Sequence, residues 1–439
     1  MNALYIVPIL AILILVHELG HFVTARLVGI KVEEFGIGLP PRLVGIRRGG
    51  VIYSINLIPL GGFVRLLGED GKSLAPGSMQ SKSRLQRTLV LSAGSLMNLV
   101  LALVLMTAVV GLQGEARLNV YVAEVQPDSP AQQAGWQAGD RFLQVGGQTV
   151  TSVEQVQRLT EDFSGRPMPV TLLRHGETIQ TEVVPREHPP ANAGRTGILI
   201  TSAANARITV AEVDPASPAE QAGLRPGDVV TAIDGQPIED SFAYLQSLRN
   251  AAGRSVQIVV ERDGAPQPLT LAVPAMTPAQ SEPHIGAAVR QDVLYHRLPW
   301  WQIVPRGVSE TWSALGQMFH GLVLLIRGAV PLSGVTGPIG MGQLTSEVLA
   351  ISSAPTWVTL ANLTVLLSLN LAVLNLLPFP ALDGGRLAFV LIEAIRGRRV
   401  SPEKEGLVHF VGLVLLLAVM FVVAFVDLER LVSGQSFLR

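Results

Sequence analysis

His17 and His21 stand four residues apart, with a carboxylate between them, in the run His17-Glu18-Leu19-Gly20-His21. On a helix, positions i and i+4 share one face, so the two imidazoles can hold a single ion, and neutral imidazole nitrogens suit Zn2+. Glu18, one residue from His17, is placed to take a proton from an attacking water. A trio of this kind serves metal-assisted hydrolysis of a peptide bond. The plainer alternative is a pair of interfacial histidines reaching for water at a helix end.

What must position these residues is a helix inside a bilayer. The run Leu4 to Val16 is apolar without a break, so segment 1–27 reads as a first membrane span, and ionisable groups at that depth are costly and usually functional. A signal peptide fits poorly, because the chain lacks a basic start and carries the histidines where a cleavage site would fall. Of 439 residues, 48% are hydrophobic and only 15% charged, with a formal net charge of -1. That balance points to a lipid bilayer and gives no reason to expect nucleic acid. The absence of cysteine excludes thiolate metal sites and disulfides.

Segments 89–112, 356–385 and 407–427 are each long enough to span as well, since a crossing takes about 20 apolar residues. Lys31, Arg42, Arg47 and Arg48 after the first span, and Arg396, Arg398 and Arg399 after the third, place both loops in the cytoplasm by the positive-inside rule. The large segment between spans two and three then lies outside. Segment 300–332 has apolar residues at helical spacing but is broken by Glu310, His320 and Arg327. It is expected to lie as an amphipathic helix on the outer surface, anchored by Trp300 and Trp301.

The third span ends on Asn375-Leu-Leu-Pro378-Phe-Pro380-Ala-Leu-Asp383-Gly384-Gly385. Prolines break the helix there, and irregular backbone at membrane depth is tolerated only where it is buried in protein or lines a wet cavity. Asp383 is the natural third zinc ligand beside His17 and His21, leaving a fourth position for water. His409 in the last span is the rival, although a lone histidine near a helix end suits packing better. Asn375, if it faces the cavity, can hydrogen-bond a substrate backbone; Asn98, Asn362 and Asn370 are weaker candidates.

These two motifs resemble those of the site-2 protease family of intramembrane zinc metalloproteases. H-E-L-G-H is similar to its H-E-x-G-H, and Asn375 to Gly385 to its N-x-x-P-x-P-x-L-D-G segment; Val335 to Gly340 is similar to a further element. The chain departs from the family at Gly38-Leu39-Pro40 and at Ser95, where proline is usual. The resemblance implies a metalloendopeptidase with Zn2+ on His17, His21 and Asp383 and with Glu18 as general base.

The central segment repeats itself. Val122 to Asp140 recurs as Val210 to Asp228, and Val145 to Val150 returns in register as Ile233 to Ile238. Each copy, expected over 115–202 and 203–290, resembles a PDZ domain. The fold class is then a polytopic α-helical membrane protein of four transmembrane helices with two tandem α+β domains inserted between spans two and three. Such domains bind peptide C-termini by strand addition, or keep bulky ectodomains away. Tandem copies at this place resemble the regulator-of-sigma-E branch of the family. That branch implies a bacterial inner-membrane enzyme that cuts single-span proteins, among them anti-sigma factors trimmed on their outer side and remnant signal peptides.

Segment 28–88 contains Gly50 to Ile58, an alternating, β-branched run. It is expected to be a membrane-dipping β element whose Tyr53 and Ile55 pair with an unwound substrate. Two rival functions stand beside the protease: a catalytically silent adaptor, which needs no Glu18, and a zinc transporter, whose polar residues should recur along several spans.

Overall fold

A computed structural model of the chain describes residues 2–69, 73–190, 193–276, 283–327, 337–352 and 354–433. It falls into two compact units, Met1–Gln113 with Leu298–Arg439, and Gly114–Arg297. In the first unit, helix α1 (Ile6–Leu27) carries the histidine pair on its buried face with Leu13 and Gly20. Strands β1 (Val32–Arg48) and β2 (Val51–Leu66) follow. Each is bent into two pairing segments. Residues 32–37 pair with 62–66 on one side and 34–37 with 52–55 on the other, while 42–48 pair with 51–56. The result is a four-segment antiparallel sheet whose outer edges are 42–48 and 62–66.

Helix α2 (Arg84–Gln113) crosses α1 closely. A Cβ on Gly20 would come within 2.4 Å of the Ala93 carbonyl oxygen, the kind of backbone approach that small residues permit between helices in lipid. The C-terminal end of α1, the sheet and α2 share a core of Ala25, Ile30, Val32, Val51, Leu66 and Val90.

The second unit opens with β3 (Glu115–Ala116). A first domain contains β4 (Leu118–Val125), α3 (Pro130–Gln133), β5 (Arg141–Val145), β6 (Gln148–Thr149), α4 (Val153–Asp162), β7 (Met168–Arg174), β8 (Glu177–Val183) and β9 (Ile198–Ala204). A second contains β10 (Ala206–Val213), α5 (Pro218–Gln221), β11 (Val229–Ile233), β12 (Gln236–Pro237), α6 (Ser241–Asn250), β13 (Ser255–Arg262), β14 (Ala265–Ala272) and β15 (Ala287–Val293). β16 (Tyr295–His296) closes the unit by pairing with β3.

The sheet orders, β8-β7-β5-β4-β9 and β14-β13-β11-β10-β15, are the same topology twice. Equivalent details recur with it. Ser129 and Ser217 cap the short helices, and Arg174 and Arg262 each grip the aspartate that ends the glycine turn, Asp140 and Asp228. The expected boundary at residue 202 falls just inside β9. Asp240 caps α6 through Ala243 and also accepts hydrogen bonds from Asn119 and the Tyr121 hydroxyl of the first domain.

Back in the first unit are α7 (Trp300–Ile326), α8 (Pro338–Ile351), α9 (Thr356–Leu376), α10 (Asp383–Arg396) and α11 (Pro402–Ser433). Four helices, α1, α2, α9 and α11, are long and apolar enough to cross a membrane. α7 differs from the expected surface helix. It packs lengthwise on α2, with Ile303 against Gly111 and Gly307 against Thr107, and its Ala314, Leu315 and Met318 join the Ala102, Val365 and Leu369 core. Only part of its apolar surface is covered: Ile303, Ala314, Leu315 and Met318 are half-buried against protein, while Trp300, Trp301, Val304, Trp312 and Phe319 stay exposed. Residues 328–332 of that segment, and Val335 and Thr336, lie outside the described residues.

The third span also ends earlier than expected. α9 stops at Leu376, because neither Pro378 nor Pro380 can donate a backbone hydrogen bond, and Asp383 opens the separate helix α10. α10 is anchored to the start of α2 by Glu393, which accepts from Arg87 and Arg84, with Arg399 beside it. Burial alone would push the Glu393 carboxyl up, but these guanidinium groups hold it below the ordinary carboxylate range.

Candidate metal centre

Three polar atoms converge between α1 and the start of α10. The Nε2 atoms of His17 and His21 are 3.1 Å apart, and Asp383 Oδ2 lies 3.0 Å from the first and 3.2 Å from the second. Both rings are buried. Tetrahedral zinc with bonds near 2.0–2.1 Å separates its ligands by about 3.3 Å, so the triangle has the size that such an ion needs.

The ring orientations agree. His21 Nδ1 donates to the Val90 carbonyl at 2.8 Å, which leaves Nε2 as the lone-pair nitrogen facing the other two atoms. His17 Nδ1 meets the Asn98 side-chain amide at 3.4 Å, while the Asn98 oxygen is buried without a partner among the described residues. The amide's N and O are interchangeable in shape, and a His17 that ligates through Nε2, with its proton on Nδ1, requires the oxygen to face the ring. Asn98 then accepts from Nδ1–H, and the His17 Nε2 lone pair also points inward. The Ser368 hydroxyl donates to the Asn98 backbone carbonyl at 2.7 Å, tying α9 to the same turn of α2.

Room for the rings is made on α2. A Cβ on Gly94 would sit 2.5 Å from both Nε2 atoms, so this position must lack a side chain. Asp383 occupies the first turn of α10, where the helix dipole favours an anion. Glu18 turns its Oε2 to the Val64 amide at 3.0 Å. These groups surround a cavity of about 250 Å³ lined by His17, Glu18, His21, Val64, Asp383 and Arg386. Arg386 pairs with Glu69.

The other expected site residues are placed elsewhere. His409 is not with the three converging atoms; its Nδ1 accepts from the Ala381 amide at 2.9 Å. Asn375 is half-buried in the last turn of α9, outside the residues that line the cavity. Tyr53 pairs with both Phe35 and Ile46, and Ile55 with both Ile37 and Val44. They belong to an interior segment whose backbone has strands on both sides, so neither can receive an added strand, and that expectation is corrected. The open edge beside Glu18 is 62–66. There, the Val64 and Leu66 amides point away from the sheet, to Glu18 and Glu69.

Sequence reasoning missed Gly94 and Val64, and gave Asn98 a substrate role rather than a contact with His17. A glycine in the middle of an apolar helix was the one available signal for the first.

A helix-borne histidine pair and a carboxylate from a broken helix, among helices long and apolar enough to cross a membrane, fit a metal-dependent hydrolase, and comparison with known proteins gives the family. Residues 5–419 match the model for peptidase family M50, and the chain belongs to that family. It is 30% identical to protease RseP of Yersinia pestis, over 96% of this chain and 97% of that one. It is 29% identical to zinc metalloprotease RasP of Oceanobacillus iheyensis, over 96% and 97%. The regulator of sigma-E protease RseP of Escherichia coli is 28% identical, over 96% and 97%. The chain is thus a metalloendopeptidase of the membrane, and its cofactor is Zn2+.

Proposed function

We propose that this chain hydrolyses peptide bonds within the transmembrane segments of single-span proteins, with His17, His21 and Asp383 holding Zn2+ and Glu18 acting as general base. The observation that carries the reading is the triangle of ligand atoms, 3.0–3.2 Å on each side, with Glu18 on the same helix. When bound, Zn2+ polarises the scissile carbonyl and lowers the pKa of water. Glu18 takes the proton of the attacking water and passes it to the leaving amine, and Asn98 and Val90 hold the two imidazoles in the ligating tautomer.

A substrate helix hides its carbonyls in its own hydrogen bonds and must be extended first. The outer edge at 62–66 is the element for this, since an extended segment can pair there once the Val64 and Leu66 amides exchange the Glu18 and Glu69 carboxylates for its carbonyls. The basic residues of 31–48 and 396–399 support a cytoplasmic placement for the sheet and the α10 end. The repeat domains, read as PDZ domains, then lie on the periplasmic side, where they receive peptide C-termini or limit the size of the substrate's outer part. Anti-sigma-factor-like proteins trimmed on that side, and remnant signal peptides, are the substrate classes this arrangement suits.

The test is cleavage of a single-span substrate with a shortened outer domain by purified wild type and Glu18→Gln in parallel. The variant should bind zinc normally and cut at least about 100-fold more slowly, the usual contribution of general base catalysis. Equal cleavage by both proteins would remove Glu18 from the mechanism; equal inactivity with zinc and peptide binding intact would favour the adaptor.

A further inference from the structure

We propose that His409 is a positioning residue for the third metal ligand, acting through the turn that joins α9 to α10. This rests on the reading of Asp383 as a ligand. α11 is otherwise sparsely covered; among its described residues only Gly412 and Asp427 are buried. Yet it grips one short stretch of the chain at two points, one helical turn apart. A Cβ on Gly412 would lie 2.3 Å from Pro380 Cβ. Three residues earlier, His409 Nδ1 accepts the Ala381 amide at 2.9 Å.

Ala381 needs holding. Its φ is +78°, a left-handed conformation that an L-residue with a Cβ enters at a cost and that persists only when its surroundings impose it. Two residues on, the chain presents Asp383 to His17 and His21. The break in the helix frees the Ala381 amide from the helical ladder, and α11 supplies its acceptor. The tautomer follows: Nδ1 accepts, so the proton sits on Nε2, which is buried with no hydrogen-bond partner among the described residues, and the ring lies 5.5 Å from that of Phe389. A single acceptor from the fourth span thereby fixes the backbone that delivers the carboxylate, while the histidine itself stays out of the metal's reach.

The prediction separates the two ring nitrogens. Asparagine places its side-chain oxygen near the position of Nδ1, glutamine near that of Nε2, and leucine offers no acceptor. Zinc affinity of the full-length protein in detergent, read by competition with a chromogenic chelator, should fall about 10- to 100-fold in His409→Leu and His409→Gln, the usual cost of losing a partner behind a ligand. His409→Asn should stay close to wild type. In the His409→Leu background, Ala381→Gly should recover part of the loss, since glycine adopts the left-handed turn unaided. Asp383→Ala is the control. If it loses zinc while His409→Leu keeps wild-type affinity, this inference is overturned; if Asp383→Ala itself keeps zinc, the ligand assignment beneath it fails instead. Should the leucine variant not fold, the asparagine and glutamine variants decide, because equal affinity in those two would mean that His409 merely packs.

Discussion

The two halves of the proposed metal centre are built in opposite ways. His17 and His21 are set by one continuous helix, whose 3.6-residue period alone puts them on a common face. Asp383 arrives from 366 residues beyond His17 in sequence, on a turn with two prolines and a left-handed alanine. The first half is preorganised by local backbone hydrogen bonds and needs only clearance and ring orientation. The second half is preorganised by tertiary contacts from α2, α10 and α11. Damage to the helix-borne half should therefore come from added bulk, and damage to the turn-borne half from lost contacts.

The sharpest way to break the helix-borne half is Gly94→Val. Its Cβ would press within 2.5 Å of both Nε2 atoms, so zinc should be lost and cleavage should fall about 100-fold or more, as expected when a reacting group is displaced by an ångström. Zinc content by metal analysis and proteolysis of the same preparation check this; a Gly94→Val protein that stayed zinc-replete and active would mean that α2 yields more easily than the structure implies. Asn98→Ala is milder. It removes the partner of His17 Nδ1 without adding bulk, and zinc affinity should drop about tenfold, whereas an unchanged affinity would leave His17 oriented by packing alone. The smallest effect belongs to the turn: Ala381→Gly, with His409 intact, should leave zinc affinity unaltered. Relief of the left-handed strain and the added freedom of the unfolded chain oppose each other, so stability by thermal denaturation should shift by less than about 1 kcal/mol.

The same contrast explains what could be read from the chain. Spacing is a local property, so the histidine pair, the proline-broken segment with Asp383 and the two repeat domains were all legible. What the repeat could not reveal is the non-local part. Two 16- and 17-residue strands fold into four pairing segments, and only the register shows that Tyr53 and Ile55 are interior while 62–66 is the open edge. α10 was hidden because its start shares residues with the expected end of a span. α7 was read from its charges as a surface helix, and nothing in its own sequence announces the matching Gly111 and Thr107 on α2.

Asp240 carries a different kind of consequence. It joins the repeat domains head to tail, receiving Asn119 and Tyr121 of the first copy at the cap of α6 in the second. In the 88-residue offset between Val122 and Val210, the counterpart of Asp240 is Ser152, and the counterparts of Asn119 and Tyr121 are Arg207 and Thr209. The first copy thus carries the Asn119 and Tyr121 pair and the second the Asp240 carboxylate. Head-to-tail contacts polymerise when every unit carries both surfaces. Here the carboxylate belongs to one copy alone, so the joint as built runs one way, from the first copy to the second.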